Sequence, residues 1–346
     1  MVIIVGAGVA GLACARELHR RNVPTVTLER GRRVGGRCAS GRVDDQAVDH
    51  GTPFLHAISR EFGLVLNDLD PAGKLPGWPL RIRGERLAVT PDSYRPGRRR
   101  MARRDGVGAL PQFLARELDV RFGHEVTALE EAGACVHARL ADGTALAAPI
   151  VVVAATLPES LALAKPLVHE WPGAGAPLAA IARMRTIPCL TVVAGYPRRG
   201  ESLEFDIWHP IEATTIHAIV NDSDKREAPR ECVLVIHARA QYSASHLEDA
   251  EEEWSGELLW EAAELLGHWA KSPLWQQTHR WPCARLRQGD GLGAPVSFES
   301  RRGASVAVCG EGFALDGGLE GAYFSGLALG EQIATLPRVR RAVADA

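Results

Sequence analysis

The first 21 residues carry the pattern that most restricts what this chain can fold into. An apolar run over residues 2–5 precedes Gly6, Gly8 and Gly11, spaced as G-x-G-x-x-G, and a helical pattern follows to about residue 21. In a dinucleotide-binding turn, the first glycine permits a tight turn, the second lets the backbone approach a pyrophosphate, and the third lets the helix pack on the strand. The helix N-terminus offers its amides and positive dipole end to phosphates. The pattern predicts a nucleotide-binding unit.

Glu29 ends a second predicted strand, residues 25–28, and extends this nucleotide pattern. A carboxylate at that position accepts both hydroxyls of a ribose and disfavours a 2′-phosphate, so the residues favour FAD or NAD over NADP. Gly35, Gly36 and Arg37 come next, and this run resembles the second phosphate signature of the flavin-containing amine oxidase superfamily. The resemblance implies FAD, with the paired glycines and the arginine approaching the pyrophosphate from its other side.

The order of the predicted strands indicates a divided nucleotide domain. Residues 150–155 and 305–309 are apolar segments of the kind that is buried on both faces of a parallel sheet. Between them, three β-branched or alternating segments predict an antiparallel sheet with one covered face: residues 189–195, 214–220 and 232–239. A last helix is predicted over about residues 321–335.

We therefore expect an α/β fold with two domains, each discontinuous in sequence. The first is a split Rossmann-like FAD-binding domain of residues 1–75, 106–160 and 281–346. The second is an inserted substrate domain that combines an antiparallel β-sheet with helices, residues 76–105 and 161–280. In such folds, ligands bind at the carboxyl ends of the parallel strands.

Composition restricts the classes of partner. The net charge is −2, with 40 basic and 42 acidic residues, which gives no reason to expect nucleic acid. No apolar run has the length of a membrane span, and the first residues predict a strand instead of a signal peptide. The seven cysteines are scattered without a CxxC pair, which indicates free thiols in a reducing compartment. We expect a cytoplasmic protein with a small-molecule substrate.

Five arginines form a local basic cluster: Arg98, Arg99, Arg100, Arg103 and Arg104. Such a cluster is typical of a solvated face. The alternative interpretation is that it attracts a phosphate-bearing substrate toward a pocket.

Motifs along nearly the whole chain resemble the renalase-like branch of the flavin-containing amine oxidase superfamily. Residues 48–51, Val-Asp-His-Gly, resemble the family's Phe-Asp-His-Gly, and residues 279–281 match its His-Arg-Trp. Residues 105–110 resemble its Pro-Gly-Met-x-x-Leu helix start, and residues 233–249 resemble its Val-Leu-His-Ala strand and the helix after it. Residues 318–328 match its C-terminal flavin signature. This resemblance implies a noncovalently bound FAD.

The resemblance also implies which residues hold the cofactor. Seven would hold the ADP half of FAD: Gly6, Gly8, Gly11, Glu29, Arg30, Gly36 and Arg37. The Val126 backbone would pair with adenine, and Glu311 would contact the ribityl or pyrophosphate region. Leu319 and Glu320 would open the last helix, whose N-terminal amides would face flavin O2, where reduced flavin carries negative charge.

Three residues are implied as catalytic. His50 would lie near the isoalloxazine, and His237 and Trp281 would line the substrate pocket. For His237, which lies in an apolar strand, and for Trp281, a second interpretation stays open, because both are also typical of a packed core. His209 and His217 lack the spacing of metal ligands, and we expect no metal site.

The activity implied by the resemblance is that of an FAD-dependent oxidase. It would take hydride from dihydronicotinamide isomers of NAD(P)H to flavin N5, and O2 would reoxidise the flavin and give H2O2. Pro53 and Pro282 stand where the family has a glutamine and an arginine, which leaves the identity of the substrate open. The alternatives are an amine oxidase or dehydrogenase, a desaturase, and a catalytically silent flavin-binding protein.

Amine oxidation in this superfamily commonly uses a lysine bridged by water to N5. The chain has four lysines: Lys74, Lys165, Lys225 and Lys271. None lies in a segment that we expect at the flavin, because Lys74 lies in a boundary region rich in Pro and Gly, and Lys165, Lys225 and Lys271 are predicted in loops. This weakens the amine interpretation.

Overall fold

The computed structural model describes residues 1–84, 91–95, 97–169, 171, 173–198, 203–315 and 317–344. The chain divides into two compact units. The first comprises residues 1–36, 111–186 and 285–346, and the second comprises residues 37–110 and 187–284. In the part of the chain that is described, no helix combines the length and apolar character needed to cross a bilayer.

Within these residues the strands, numbered along the chain, are β1 (Val2–Val5), β2 (Thr25–Glu29), β3 (Gly41–Val43), β4 (Gln46–Val48), β5 (Leu55–Ala57), β6 (Lys74–Pro76), β7 (Ile82–Gly84), β8 (Arg99–Arg103), β9 (Val120–Phe122), β10 (Val126–Ala132), β11 (Cys135–Leu140), β12 (Ala145–Ala148), β13 (Ile150–Val153), β14 (Thr186–Pro197), β15 (Ile207–His209), β16 (Ile216–Asn221), β17 (Glu231–Ala238), β18 (Trp275–Leu286), β19 (Val296–Glu299) and β20 (Ser305–Val308). The α-helices are α1 (Val9–Arg20), α2 (Arg60–Asn67), α3 (Ala109–Leu114), α4 (Leu157–Ala164), α5 (Gly175–Arg183), α6 (Ala240–Ser245), α7 (Glu251–Leu266), α8 (Gly318–Thr335) and α9 (Pro337–Ala344).

The first unit is built on a six-stranded sheet in the order β19-β20-β13-β1-β2-β9. β1 pairs in parallel with β2 and β13, β13 with β20, and β2 with β9, while β19 is an antiparallel edge strand. Every residue of β1, β13 and β20 is buried, because both faces of the sheet are covered. Helices α1 and α8 pack on one face, and a separate three-stranded sheet of β10, β11 and β12 packs on the other face together with α4 and α5. The predicted Rossmann-like α/β class is confirmed.

Helices α1 and α8 lie side by side on one face of this sheet and run in the same direction. A Cβ added at Gly326 would lie 2.0 Å from Ala10 O, and one at Gly330 would lie 2.9 Å from Cys14 O. Glycine is needed at Gly326, since any side chain there would collide with the backbone of α1. α8 begins at Gly318, somewhat before the predicted start, and α9 lies in a segment where no helix was predicted.

The second unit is built on another six-stranded sheet, in the order β18-β14-β17-β16-β15-β7. β14, β17, β16 and β15 pair antiparallel in succession, and β7 joins β15 in parallel. One face packs on α7 through the fully buried Trp254, Leu258 and Ala262. Phe54 and Trp78 lie in a second apolar cluster, on the other face. The prediction of one covered face was wrong, because successive apolar residues of β14 and β17 leave neither face polar.

The division into units differs from the predicted domain boundaries. The sequence predicts residues 37–75 with the nucleotide domain, but Phe54 lies in the core of the second unit and β5 pairs with β8. The sequence predicts residues 161–186 with the substrate domain, but Leu178 and Ile181 of α5 pack in the core of the first unit. Long-range strand pairing and core packing decide these boundaries, and neither is visible in local sequence patterns.

Candidate functional site

The glycine turn of the first unit forms a narrow cradle of backbone. Gly6 has a φ of 102°, and Gly8 forms an isolated parallel bridge with Gly35, whose N–H donates to Ala7 O at 2.9 Å. A Cβ added at Gly8 would meet no described atom within 4 Å, and one at Gly36 would lie 3.9 Å from Gly8 Cα. Side chains at these two glycines would fill an open space beside the start of α1. That space fits a pyrophosphate at a helix N-terminus.

Glu29 is anchored beside this cradle by two backbone amides. Its Oε2 accepts from Ala7 N at 2.9 Å, and its Oε1 accepts from Gly31 N at 2.7 Å. A carboxylate has about four acceptor sites, so each oxygen keeps capacity for one more donor. The side chain is therefore fixed at the end of β2 and can still accept ribose hydroxyls.

Three other residues predicted to hold the ADP half, Gly11, Arg30 and Arg37, lie in different surroundings. A Cβ added at Gly11 would lie 2.1 Å from Gly6 O, so the start of α1 packs closely on the turn. Arg30 pairs with Glu159 at 2.6 Å and is largely exposed. Arg37 belongs to the second unit, where its guanidinium donates to Cys283 O at 3.3 Å.

Val126 begins β10 and lies near Glu29 along the backbone. His124 N donates to Glu29 O at 3.0 Å, and a register shift follows Val126 in its pairing with β11. The strand end that carries Val126 is thus held next to the strand end that carries Glu29. This placement suits a base attached to the ribose that Glu29 can accept.

The start of α8 forms a second positive helix end. Glu311 Oε1 accepts from Gly318 N at 3.2 Å and from Leu286 N at 2.9 Å, and Leu319 and Glu320 follow in the first turn. Gly326 packs on Ala10, and the two helices run parallel. The N-terminus of α8 therefore projects about 10 Å past the N-terminus of α1, at a rise of about 1.5 Å per residue. Two helix N-termini offset in this way suit a long ligand with two centres of negative charge, as in FAD.

In the second unit, the rings of His50, His279 and Trp281 form a stack. The His50 and His279 rings lie 4.1 Å apart with planes at 12°, and the His50 and Trp281 rings lie 5.6 Å apart with planes at 15°. Within the described residues, the buried His279 Nε2 and Trp281 Nε1 have no hydrogen-bond partner. Burial lowers the pKa of His279. His279 was not predicted as a site residue, although it belongs to the same His-Arg-Trp run as Trp281.

His237 lies in β17 and is held from one side. Its Nδ1 lies 3.0 Å from Thr191 Oγ1 and 3.9 Å from Cys189 Sγ, both on the neighbouring β14. Its buried Nε2 has no hydrogen-bond partner among the described residues. Burial, assisted by nearby His and Lys groups, lowers the pKa of His237 to about 3, so the ring is neutral near pH 7. Thr191 gave no signal in the sequence because only the sheet register brings it to His237.

Asp49, the residue directly before His50, belongs to a cluster of four buried charges that was not predicted. The cluster consists of Asp49, Asp222, Lys225 and Arg226, whose side chains are at most 4% exposed. Lys225 Nζ donates to Asp49 Oδ2 and lies 2.6 Å from it, and it lies equally close to Asp222 Oδ1. It also donates to Pro53 O at 3.0 Å.

The prediction of Lys225 in a loop was wrong. The residue ends a 3-10 helix, Asp222–Lys225, and its side chain is fully buried in the charge cluster. The loop prediction was also wrong for Lys165 and Lys271, which lie at the ends of the 3-10 helices Lys165–His169 and His268–Lys271, but both side chains are exposed. Lys74 Nζ donates to Asn67 O. Lys225 is thus the lysine whose environment bears on the candidate site.

The arginine cluster does not form a single solvated face. Arg103 is 2% exposed, binds Asp105 through both nitrogens of its fork at 2.7 Å, and donates to Asp70 O. Arg98 donates to Ile58 O at 2.9 Å. The prediction of a common solvated face was wrong for Arg103, since its side chain is buried in the second unit and paired with Asp105. Across the described residues, no group of three or more His, Cys, Asp or Glu side chains is arranged to hold a metal ion.

Comparison with known families identifies both parts of the pattern. Residues 4–69 match the NAD(P)-binding Rossmann-like domain, and residues 78–333 match the flavin containing amine oxidoreductase family. Over 54 residues the chain is 48% identical to a Mycobacterium tuberculosis protein assigned as a flavin-containing monoamine oxidase, and 37% identical to the pseudooxynicotine dehydrogenase of a Pseudomonas species. These matches cover 16% of this chain, and 12% and 11% of the length of those relatives.

Solved structures share the fold over nearly the whole chain. A protein assigned as a protoporphyrinogen oxidase, from Exiguobacterium sp. 255-15, aligns with a TM-score of 0.70 and 14% identity over 96% of this chain and 98% of that one. A putrescine oxidase bound to putrescine aligns with a TM-score of 0.67 and 13% identity over 97% and 99% of the two chains. At such identity the likeness establishes the fold.

Proposed function

Because the chain belongs to the flavin containing amine oxidoreductase family, it is an FAD-dependent oxidoreductase, and we propose that it is a renalase-like oxidase of dihydronicotinamide isomers of NAD(P)H. The observation that carries this proposal is the set of uncharged rings with unpartnered nitrogens at His237, His279 and Trp281. O2 is the proposed electron acceptor, with H2O2 as the product.

The first unit provides the features that would hold FAD. Gly8 and Gly36 leave space for the pyrophosphate, Glu29 can accept the ribose hydroxyls, and the starts of α1 and α8 offer amides to negative charge. When bound, FAD supplies a two-electron acceptor that O2 can reoxidise. The roles given to Arg30, Arg37, Val126 and Glu311 remain part of this proposal.

The proposed substrate-contacting side chains are neutral and planar. His237 and His279 carry no charge near pH 7, because burial lowers the pKa of each. A dihydropyridine ring is also neutral and planar, and its carboxamide can exchange hydrogen bonds with the unpartnered nitrogens. The side chains of His237, His279 and Trp281 offer no anionic acceptor to an ammonium group. His237, His279 and Trp281 are therefore proposed to bind and orient the substrate ring, together with His50, which stacks on His279.

The state of Lys225 argues against the lysine-assisted amine reaction. Its three protons are directed at Asp49, Asp222 and Pro53 O, which leaves none to hold a bridging water. Oxidation of a dihydronicotinamide needs no such base, because the ring becomes an aromatic pyridinium as a single hydride, two electrons with their hydrogen, leaves it.

Amine oxidation is the second candidate, and the relatives favour it. The Mycobacterium tuberculosis protein is assigned as a monoamine oxidase, and the putrescine oxidase structure shares the fold. The two candidates predict opposite outcomes in one experiment.

The test is anaerobic mixing of the FAD-containing protein with separate reductants. We expect dihydronicotinamide isomers to bleach the flavin absorbance band, and admission of air to restore it with one H2O2 per turnover. Putrescine and a simple aromatic monoamine serve as the amine arm and should leave the band unchanged. Bleaching by an amine alone would replace the proposal with amine oxidation. A coloured protein that no reductant bleaches would indicate a silent flavin-binding protein.

A further inference from the structure

We propose that Lys225 is a positioning residue that sets the orientation of the His50 ring. The inference starts from the buried charge cluster of Asp49, Asp222, Lys225 and Arg226, which holds two cations and two anions. Only its kinetic consequence rests on the proposed function. The orientation of His50 can be measured without any substrate.

The energetics of the cluster call for a role other than stability. Removing charges from water costs about as much as their mutual attraction returns, and apolar replacements of buried ion pairs are often neutral or stabilising. What such clusters can supply instead is a single local conformation. The segment whose conformation the cluster would fix is residues 49–53, to which it is hydrogen-bonded.

Lys225 binds that segment at both ends. Its Nζ donates to the side chain of Asp49 and to the main-chain oxygen of Pro53, the residues on either side of His50, Gly51 and Thr52. One ammonium group thus closes a loop of five residues with His50 inside it. A shift of Lys225 would release both ends at once.

Asp49 is fixed further, immediately before His50. Its Oδ1 accepts from Ser40 Oγ at 2.5 Å and from Val107 N at 2.9 Å, and its own N–H donates to Asp222 Oδ1 at 3.2 Å. Main chain and side chain of this residue are therefore both held. The segment held in this way carries the His50 ring, which stacks on the His279 ring at 4.1 Å.

The test uses a charge-balanced pair of changes in the FAD-containing protein. The double variant Lys225→Met and Asp222→Asn removes one cation and one anion and leaves the Asp49–Arg226 pair, 3.1 Å apart, in place. Lys271→Met, the same substitution at an exposed lysine of the second unit, is the matched control. The His50 resonance is assigned with His50→Gln in protein labelled with ¹³C at histidine Cε1.

We expect the double variant to unfold in one cooperative transition and to retain flavin. The His50 Cε1–H signal should lose the ring-current shift from Trp281 and move toward the value of a mobile histidine, while Lys271→Met leaves it unchanged. With whichever reductant bleaches the wild-type flavin, kcat should fall about tenfold with KM changed less than about twofold, because misorientation acts on the reacting complex.

Two results would overturn the proposal. One is a folded, flavin-containing double variant whose His50 signal stays at the wild-type position. The other is loss of cooperative folding both in this variant and in Lys225→Met with Asp49→Asn, which leaves the Asp222–Arg226 pair, 2.6 Å apart. That second result would assign the cluster to folding alone. Failure of dihydronicotinamides to bleach the wild type affects the proposed function and leaves the NMR result standing.

Discussion

The two units build their candidate sites from different material. In the first unit the cradle is backbone, at Gly8 and Gly36, and Glu29 is the main side chain beside it. In the second unit the site is made of side chains, with His50 and His237 on separate elements. A backbone site is therefore sensitive to added atoms, whereas a side-chain site is sensitive to lost or misplaced ones.

The strongest test of this contrast is Gly8→Val. Gly8 has extended backbone dihedrals, φ −74° and ψ 175°, and an added Cβ meets no described atom within 4 Å, so the fold should tolerate valine. The side chain would occupy the space proposed for the pyrophosphate, and we expect flavin retention to be abolished. Flavin absorbance per protein and the circular dichroism spectrum measure the two effects.

The smaller Gly8→Ala is the graded control and should retain part of the flavin. A Gly8→Val protein that purifies fully loaded with FAD would show that the cradle is not the phosphate site. A protein that loses both flavin and helical signal would instead place Gly8 in the packing of α1.

A packing glycine of the same unit should behave in the opposite way. Gly326→Ala places a methyl group 2.0 Å from Ala10 O, so α8 must move away from α1. We expect a loss of about 3 kcal/mol in the free energy of unfolding, as for other overpacked cores. Urea unfolding measures it, with the exposed Gln332→Ala on α8 as the control expected within about 0.5 kcal/mol of the wild type. An unchanged midpoint for Gly326→Ala would contradict the close helix contact.

The contrast also explains what could be predicted from the sequence. The elements around Gly8 and Glu29 follow from spacing along about thirty residues, because each glycine answers a backbone requirement that repeats in every dinucleotide turn. Strands β1, β13 and β20 were equally predictable, since burial on both faces imposes an apolar sequence. Domain boundaries were not, because the pairing of β5 with β8 is set by residues far apart in the chain.

The second unit was harder to predict for the same reason. The motif containing His50 was recognised, but Lys225 lies more than 170 residues from Asp49 in sequence and contributes only through tertiary packing. Nothing local distinguishes a buried, fully bonded lysine from a loop lysine. Thr191 reaches His237 through the register of β14 and β17, which the sequence does not specify.

Acid should destabilise the second unit through His237. Burial lowers the pKa of His237 to about 3 in the folded protein, against about 6.5 for an unfolded histidine. Below pH 6.5 His237 binds a proton in the unfolded chain but stays unprotonated in the folded chain, so the free energy of unfolding falls with decreasing pH. Between pH 6.5 and pH 5, His237 should account for a loss of about 2 kcal/mol.

Urea unfolding of the wild type and His237→Gln across this pH range measures that contribution. The variant should lose less stability, and the difference between the two should grow as the pH falls. Asp49 does not obscure the result: burial raises its pKa, but Lys225 and Arg226 outweigh this and lower it to about 2, below the range tested. Parallel pH profiles would mean that His237 is not held neutral by burial.

The smallest expected effect comes from removing a single hydroxyl group. It is the sharpest test of whether the second unit depends on the placement of individual side-chain atoms. Thr191→Val keeps the shape of the side chain but removes the Oγ1 that lies 3.0 Å from His237 Nδ1. Leaving one nitrogen without its partner should cost about 1 kcal/mol of stability, and the ring should lose its preferred tautomer. We expect kcat with the effective reductant to fall about threefold, whereas Thr191→Ser, which keeps the hydroxyl, should match the wild type. Equal rates for the valine and serine variants would show that the hydroxyl does not orient His237, and that the strand alone holds the ring.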